Sequence, residues 1–459
     1  MFAFPPEWPE DLIPQIRAIN DGPNTTLVVL DDDPTGTQTV YDIPVLADWS
    51  VEILTDELKA GTPLFYILTN SRALSEEGAI ALTEEIGGNL LRASRQTGRK
   101  FRVVSRSDST LRGHYPVEVR ALVRATEMGD VKEIIMPFFF EGGRLTINDV
   151  HYVKDDEQLV PAADTPFAKD ASFGYRNSDL KKWVEEKTAG KVKALEVESI
   201  SLEDLRVEGP EKTADKILNA TAMVFVVNAV TMRDAEAAAL AFLLAEQKGA
   251  RLVYRTAASI VQTLGGLYPR PLLSREELLA GNTGGTLIIA GSYVPMTTRQ
   301  INHFIGSMPV HTSILDVNSL MTSGAEKIIS ELTRKTDEGL RDGKTTLLYT
   351  SRDVVTGADK TASLKINAHV SSCLVEIVRR LTSAPSCIIA KGGITSSDIA
   401  TKALGVKKAT VLGQVLPGVP VWRLGEESRS PGLPYIVFPG NVGGESSLTE
   451  VVRLISVRP

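Results

Sequence analysis

Three adjacent carboxylates, Asp31, Asp32 and Asp33, directly follow the apolar run at residues 27–30 and directly precede Pro34, Thr35 and Gly36. Packed this closely they repel one another, so the arrangement suits a site where a metal, a hydrogen-bond network or a substrate sits among them. Two more stretches share the composition: residues 69–72 read TNSR and residues 105–113 read SRSDSTLRG, each after an apolar run. The three ends together offer acids (Asp31, Asp32, Asp33, Asp108), hydroxyls (Ser107, Ser109, Thr110) and cations (Arg72, Arg106, Arg112). Guanidinium forks match a planar carboxylate with two parallel hydrogen bonds, while hydroxyls and acids suit a polyol. The chemistry that fits is capture of a small, polar, anionic molecule such as a sugar acid.

The second half carries a different set. Gly291 and Ser292 follow the apolar run TLIIA; Lys391, Gly392 and Gly393 follow CIIA, with Ile394 and then Thr395 or Ser396 at the start of a helix; Gly440, Asn441, Gly443 and Gly444 follow YIVFP. Glycines let a backbone approach an anion closely, and a helix N-terminus offers free N–H groups. Three such ends suggest a nucleotide, although none matches GxxxxGK[ST] or GxGxxG. The five histidines, His114, His151, His303, His311 and His369, do not cluster with cysteine at zinc-ligand spacing. The sequence names no metal ligands.

These residues need elements to position them. Apolar runs at 27–30, 64–68, 101–104, 133–136 and 223–228 alternate with helical stretches, among them 76–97 behind Ser75 as N-cap. That rhythm marks an α/β fold with a mostly parallel sheet, whose ligands bind beyond the carboxyl ends of the strands. Residues 143–190 break it and read as a long, loop-like insertion, with HYVKDDEQLV at 151–160 as a candidate hairpin. A stretch rich in Pro, Gly and polar residues at 267–285 marks a domain boundary, after which a second series of strands and helices begins. The expected organisation is a short extension at 1–25, in which PPEWPEDLIPQIRAIN has room for one short helix, a first domain at 26–275 and a second at 285–459.

The bulk composition fits this. The chain has 459 residues, 43% hydrophobic and 23% charged, with net charge −7, which argues against a general nucleic-acid binder. No apolar run reaches the roughly 20 residues that span a bilayer, and the N-terminus does not read as a secretory signal. Two cysteines, Cys373 and Cys387, fit a reducing compartment, so a cytoplasmic protein is expected.

Taken together, LDDDPTGTQ, SRSDSTLRG, KGGITSSD, GQVLPGVPVW and FPGNVGG resemble the motifs of the four-carbon acid sugar kinase family, across nearly the whole chain. The resemblance implies an acid-sugar-binding domain followed by a nucleotide-binding domain, with the active site in the cleft between them. It implies that Asp33, Arg72, Arg106, Ser107, Asp108 and Ser109 contact the substrate, Arg72 through the substrate carboxylate, and that Ser292, the 392–395 segment and Gly440 contact ATP. The chain departs from many relatives in having Arg106 where they have Lys, and Ile394 where they have an acid.

The implied reaction is ATP- and Mg2+-dependent phosphorylation of a terminal hydroxyl on a four-carbon sugar acid: threonate, erythronate, a 3-oxo-tetronate or a branched relative such as 3-oxo-isoapionate. Asp33 is the expected base, with Asp32 the alternate, while Arg72 and Arg112 anchor and neutralise. A homodimer is compatible with the insertion. A rival reading takes LDDDPTGT as the DxDxT pattern of haloacid-dehalogenase-type phosphatases, with Asp31 as nucleophile and Asp33 as acid/base. That class needs a later acidic pair at a strand end, and the only adjacent Asp pair downstream is Asp155 and Asp156, in the insertion.

Overall fold

The computed structural model describes residues 4–22, 24–155, 157–292, 294–322, 324–352 and 360–456. The chain divides into two compact units: Met1–Val40 with Asp48–Pro269, and Tyr41–Ala47 with Arg270–Pro459. In chain order the first half supplies β1 (Thr25–Asp31), β2 (Ile43–Leu46), β3 (Leu64–Leu68), β4 (Lys100–Arg106), β5 (Lys132–Met136), β6 (Arg144–Ile147), β7 (Val150–Asp155), β8 (Gln158–Pro161), β9 (Val197–Ile200), β10 (Val224–Val227) and β11 (Leu252–Thr256). The second half supplies β12 (Thr286–Ala290), β13 (His311–Leu315), β14 (Thr346–Thr350), β15 (Cys387–Lys391), β16 (Lys408–Leu416), β17 (Val419–Leu424) and β18 (Pro434–Phe438).

In the first unit the strand order is β3-β1-β4-β11-β5-β10-β9, and every neighbouring pair is parallel. β1 and β3 are buried along almost their whole length, which is why they read as continuous apolar runs rather than alternating ones. The connection reverses direction at β1, because β3 lies on one side of it and β4 on the other. Such a reversal leaves a crevice beyond the carboxyl ends of β1 and β4. Between β3 and β4 runs the helix Glu76–Thr97, started by Ser75, whose side chain accepts from the Gly78 N–H, and stopped by Gly98 at φ +69°.

The extension at 1–25 holds one short helix, as PPEWPEDLIPQIRAIN suggests. Its helix Ile13–Asn20 buries Ile13 and Ile16, and Arg17 Nε and Asn20 Nδ2 donate to the carbonyls of Gly266 and Leu264 at 2.6 and 2.7 Å. In the 143–190 insertion, read as loop-like with a candidate hairpin at 151–160, β7 and β8 form that hairpin and β6 joins them in one antiparallel sheet. The turn between β6 and β7 is Asn148–Asp149, both at positive φ (49° and 65°), a second, two-residue hairpin that polar composition concealed. Finally, Tyr41–Ala47 falls in the second unit, where β2 pairs antiparallel with β16.

The second unit orders its strands β13-β14-β12-β15-β18 in parallel and then β17, β16 and β2 antiparallel. Its core includes Leu278, Ile288, Phe304, Ile389, Phe438 and Val452, all fully or nearly fully buried. Among the described residues no helix is long and apolar enough to cross a membrane.

Candidate functional site

β1 is flanked by β3 and β4, so the three polar strand ends read from the sequence meet. Asp31, at the last position of β1, is 1% exposed and takes Arg106 Nη1 on Oδ1 at 2.9 Å; its Oδ2 has no partner. Burial pushes its carboxyl up to about 7, against the pull of Arg106. Gly36 lies so close that a Cβ there would stand 2.3 Å from that carboxylate, so only glycine fits the turn. Asp32 is also buried. Arg72 grips it with both edges of a fork, Nη2 at 2.6 Å and Nε at 3.2 Å, and Ser107 Oγ donates to it at 2.8 Å. Burial would raise the Asp32 carboxyl, but Arg72 and Arg106 outweigh it and hold it below the usual carboxylate range.

Asp33 is arranged differently. Its Oδ1 accepts from the Thr35 N–H at 2.9 Å and from Thr35 Oγ1 at 2.6 Å, capping the short helix Pro34–Thr37. Its Oδ2 faces Arg72 Nη1 at 3.7 Å. The same Nη1 stands 3.9 Å from Asp108 Oδ1. Asp108 accepts from Thr110 Oγ1 and from Arg112 Nε, the latter at 2.7 Å. Burial raises its carboxyl, yet Arg72 and Arg112 keep it well below the ordinary range. Ser109 contributes its backbone here: its carbonyl contacts His151 Nε2 at 2.7 Å.

That histidine, on β7, comes from the insertion, and sequence reasoning missed it. It is fully buried, with Nδ1 3.0 Å from Thr146 Oγ1, and burial pushes its pKa down to about 4. Tyr175 donates to the Thr110 carbonyl at 2.8 Å, and Asp170 stands 3.7 Å from Arg112. The insertion therefore braces the Ser109–Arg112 loop from its far side. The EGGR turn at 141–144, a cation just past a strand end, was the available signal.

In the second unit a cavity of about 330 Å3 is lined by Ser292, Gly392, Gly393, Ile394 and Thr395, together with Thr350, Ser371 and the apolar Val317, Val370 and Leu374. A Cβ on Gly291 would meet Thr395 Oγ1 at 2.8 Å, and one on Gly392, which sits at φ +104°, would meet Ser292 at 3.1 Å. Arg352, also missed, donates to the carbonyls of Ser292 at 2.7 Å and Thr350 at 3.0 Å and so fixes the floor of this cavity. Gly440, Asn441 and Gly443 do not line it. Gly440 is adjacent, its carbonyl accepting from Thr297 at 3.2 Å. Gly443, at φ +81°, is packed on Ser447, and Asn441 is exposed. Buried Lys391 ties the two turns, donating to the Pro439 carbonyl at 2.6 Å from above the Phe438 ring; burial pushes its pKa down to about 7.

A sugar-binding N-terminal domain matches residues 27–264, and a nucleotide-binding C-terminal domain matches residues 287–448. The chain belongs to the four-carbon acid sugar kinase family. Similar to this family member is a 3-oxo-isoapionate kinase from Paraburkholderia graminis, 28% identical over 170 residues that cover 34% of this chain and 36% of the relative. The match thus spans about a third of that relative's length. A crystal structure from Salmonella typhimurium LT2, named as a tRNA synthase, superposes at TM-score 0.67 with 17% identity, covering 94% of this chain and 99% of the other. One from Haemophilus influenzae, of the DUF1537 family, gives 0.62 with 18% identity, covering 93% and 100%. Both likenesses are of fold. Within the acid sugar kinase family member described here, the phosphatase reading finds no support: Asp31 is sealed against Arg106, with no open face for a phosphate ester, and Asp156 lies outside the described residues.

Proposed function

We propose that this chain is an ATP-dependent kinase that phosphorylates a terminal hydroxyl of a four-carbon sugar acid, with threonate, erythronate, 3-oxo-tetronates and branched acids such as 3-oxo-isoapionate as the candidate class. The observation that carries the reading is the division of labour in the acidic triplet. Asp31 is sealed on Arg106, Asp32 is consumed in holding Arg72, and Asp33 keeps one oxygen, Oδ2, free of hydrogen bonds at the mouth of the site. Asp33 is therefore the group to take the proton of the attacking hydroxyl as that oxygen bonds to the γ-phosphorus and ADP departs. Asp32, the alternate base by sequence, has both oxygens engaged and serves as the counter-charge that orients Arg72.

Support for ATP as the donor comes from the second unit. Glycine turns that leave no room for a Cβ, hydroxyls of Ser292, Thr350, Ser371 and Thr395, and an apolar wall suit a nucleotide, with phosphates near backbone N–H groups. Among the described residues no group of three or more His, Cys, Asp or Glu could hold a metal ion. A Mg2+ ion carried on the nucleotide phosphates needs only one or two protein carboxylates and no such cluster.

The test is a coupled ADP-release screen against four-carbon sugar acids. ADP formed only when one such acid is present supports the reading. Phosphate released from phosphate esters without ATP, and no ADP with any acid, overturns it.

A further inference from the structure

Five guanidiniums surround the Asp31–Asp33 and Asp108 loops, and four of them have a carboxylate within 4 Å. Arg255 is buried, with Nη1 3.3 Å from Ser105 Oγ and 4.0 Å from Glu118 Oε2. Arg72 spends Nε and Nη2 on Asp32. Arg106 is buried on Asp31 and Asp32. Arg112 gives Nε to Asp108 and has Asp170 3.7 Å from Nη1. Arg144, the first residue of β6, has no carboxylate partner within 4 Å among the described residues. Among the described residues its Nη1 donates to the Gly142 carbonyl, its Nε is buried without an acceptor, and its Nη2 has no hydrogen-bond partner.

A cation drawn partly out of water without a counter-charge is costly, and the cost is offset when an anion pairs with it. The location is favourable. Arg112 and Arg144 both lie over the Phe167 ring, 5.1 and 5.9 Å from its centroid, so one aromatic side chain fixes both beside the Asp108 loop. Burial lowers the pKa of Arg144, with Asp108 opposing and Arg112 adding to the effect, which places both within electrostatic reach. Arg72, assigned by resemblance to the substrate carboxylate, has only Nη1 left to offer. A planar carboxylate held well needs more than one N–H donor.

We propose that Arg144, supplied by the insertion, receives the carboxylate of the sugar acid through its open Nη2 end and is a specificity-determining residue for acids over neutral polyols. This rests on the sugar-acid kinase reading above and extends it.

The test uses the full chain as wild type, R144Q, R144M and R144K. R144M keeps an apolar stem over Phe167, so one neutral variant that melts like the wild type suffices. ADP release is measured with threonate, erythronate and neutral threitol, and calorimetry follows the binding of each. In R144Q or R144M the KM for the active acid is expected to rise about ten- to a hundredfold, with partial recovery in R144K, while kcat, the KM for ATP and threitol binding stay within about threefold. An unchanged acid KM overturns the inference and leaves the kinase reading standing. Equal losses for acid and threitol, or a loss confined to kcat, also overturn it, because Arg144 then does not meet the carboxylate. If no acid yields ADP, calorimetry decides. Weaker acid binding to the neutral variants then supports Arg144 while the kinase reading fails, and no acid binding to the wild type overturns both.

Discussion

Asp33 differs from its two neighbours in what its oxygens are given to. One is held by Thr35 and the other is not hydrogen-bonded, so Asp33→Asn keeps the turn, since an amide oxygen still accepts from the Thr35 N–H. It removes a base. Turnover measured by ADP release is expected to fall about a hundred- to ten-thousandfold, with nucleotide affinity by calorimetry unchanged. Near wild-type turnover would take Asp33 out of the mechanism. Arg72 tests the other half of the triplet. Arg72→Ala leaves Asp32, with a side chain only 3% exposed, without its fork, and chemical melts are expected to show roughly 3 kcal/mol of lost stability. Adding Asp32→Asn removes the stranded charge and should restore most of that stability. The KM for the acid should stay raised in the double variant, because the donor that meets substrate is still gone. A double variant no more stable than Arg72→Ala would mean that Asp32 is neutralised by Arg106, 3.6 Å away, rather than by Arg72.

At the scale of elements, parallel strands do the positioning, and they were readable because buried parallel strands are unbroken apolar runs. β3 occupies the expected 64–68, and the helix Glu76–Thr97 starts behind Ser75 as its cap chemistry indicated. The glycine turn at Gly392 was legible too, and it carries a prediction. Gly392→Ala places a Cβ at φ +104° and 3.1 Å from Ser292, so nucleotide binding should weaken about tenfold or more while sugar-acid binding is unaffected. Equal affinity for ATP in that variant would move the nucleotide elsewhere. Of the insertion only the β7–β8 hairpin was legible; β6 and the contacts to the site were not, because its strands are short, half-buried and polar, and its contacts run to residues far away in sequence. His151 shows the consequence. Its pKa is about 4 in the folded chain against 6.5 unfolded, so between those values the unfolded chain binds the extra proton, and stability falls as pH falls. At pH 5 the loss is about 2 kcal/mol. Asp31 and Glu133, both raised to about 7 by burial, act in the opposite sense and gain stability in acid, so the wild-type curve alone is ambiguous. The difference between wild type and His151→Gln isolates the histidine. Urea melts at pH 7.5 and pH 5 should show the wild type losing more stability than the variant, and parallel losses would mean that His151 is not held neutral.

For the whole molecule, the two units match the two halves of the family, one for sugar and one for nucleotide, but the chain does not divide at a single point. Tyr41–Ala47 belongs with the second unit, although it stands between β1 and β3 of the first. Nothing in the sequence marks this, since IPVL at 43–46 is only four residues long and its partner β16 begins more than 360 residues later. The exchange has a physical cost if it is cut. β2 pairs Ile43, Pro44, Val45 and Leu46 with Val411, Thr410, Ala409 and Lys408, and Ile43, Val45 and Leu46 are buried. A fragment of residues 270–459 lacks this strand and leaves the β16 edge unpaired, a template for association with other chains. Losing three buried aliphatic side chains removes roughly 4–6 kcal/mol of burial free energy, comparable with the whole stability of many domains. The fragment is therefore expected to self-associate in sizing chromatography and to bind ATP poorly. The same fragment with residues 41–47 joined ahead of residue 270 by a flexible linker should elute as a single species and bind ATP with an affinity near that of the full chain. If the bare fragment already does both, β2 is an ornament of the second unit rather than part of its fold.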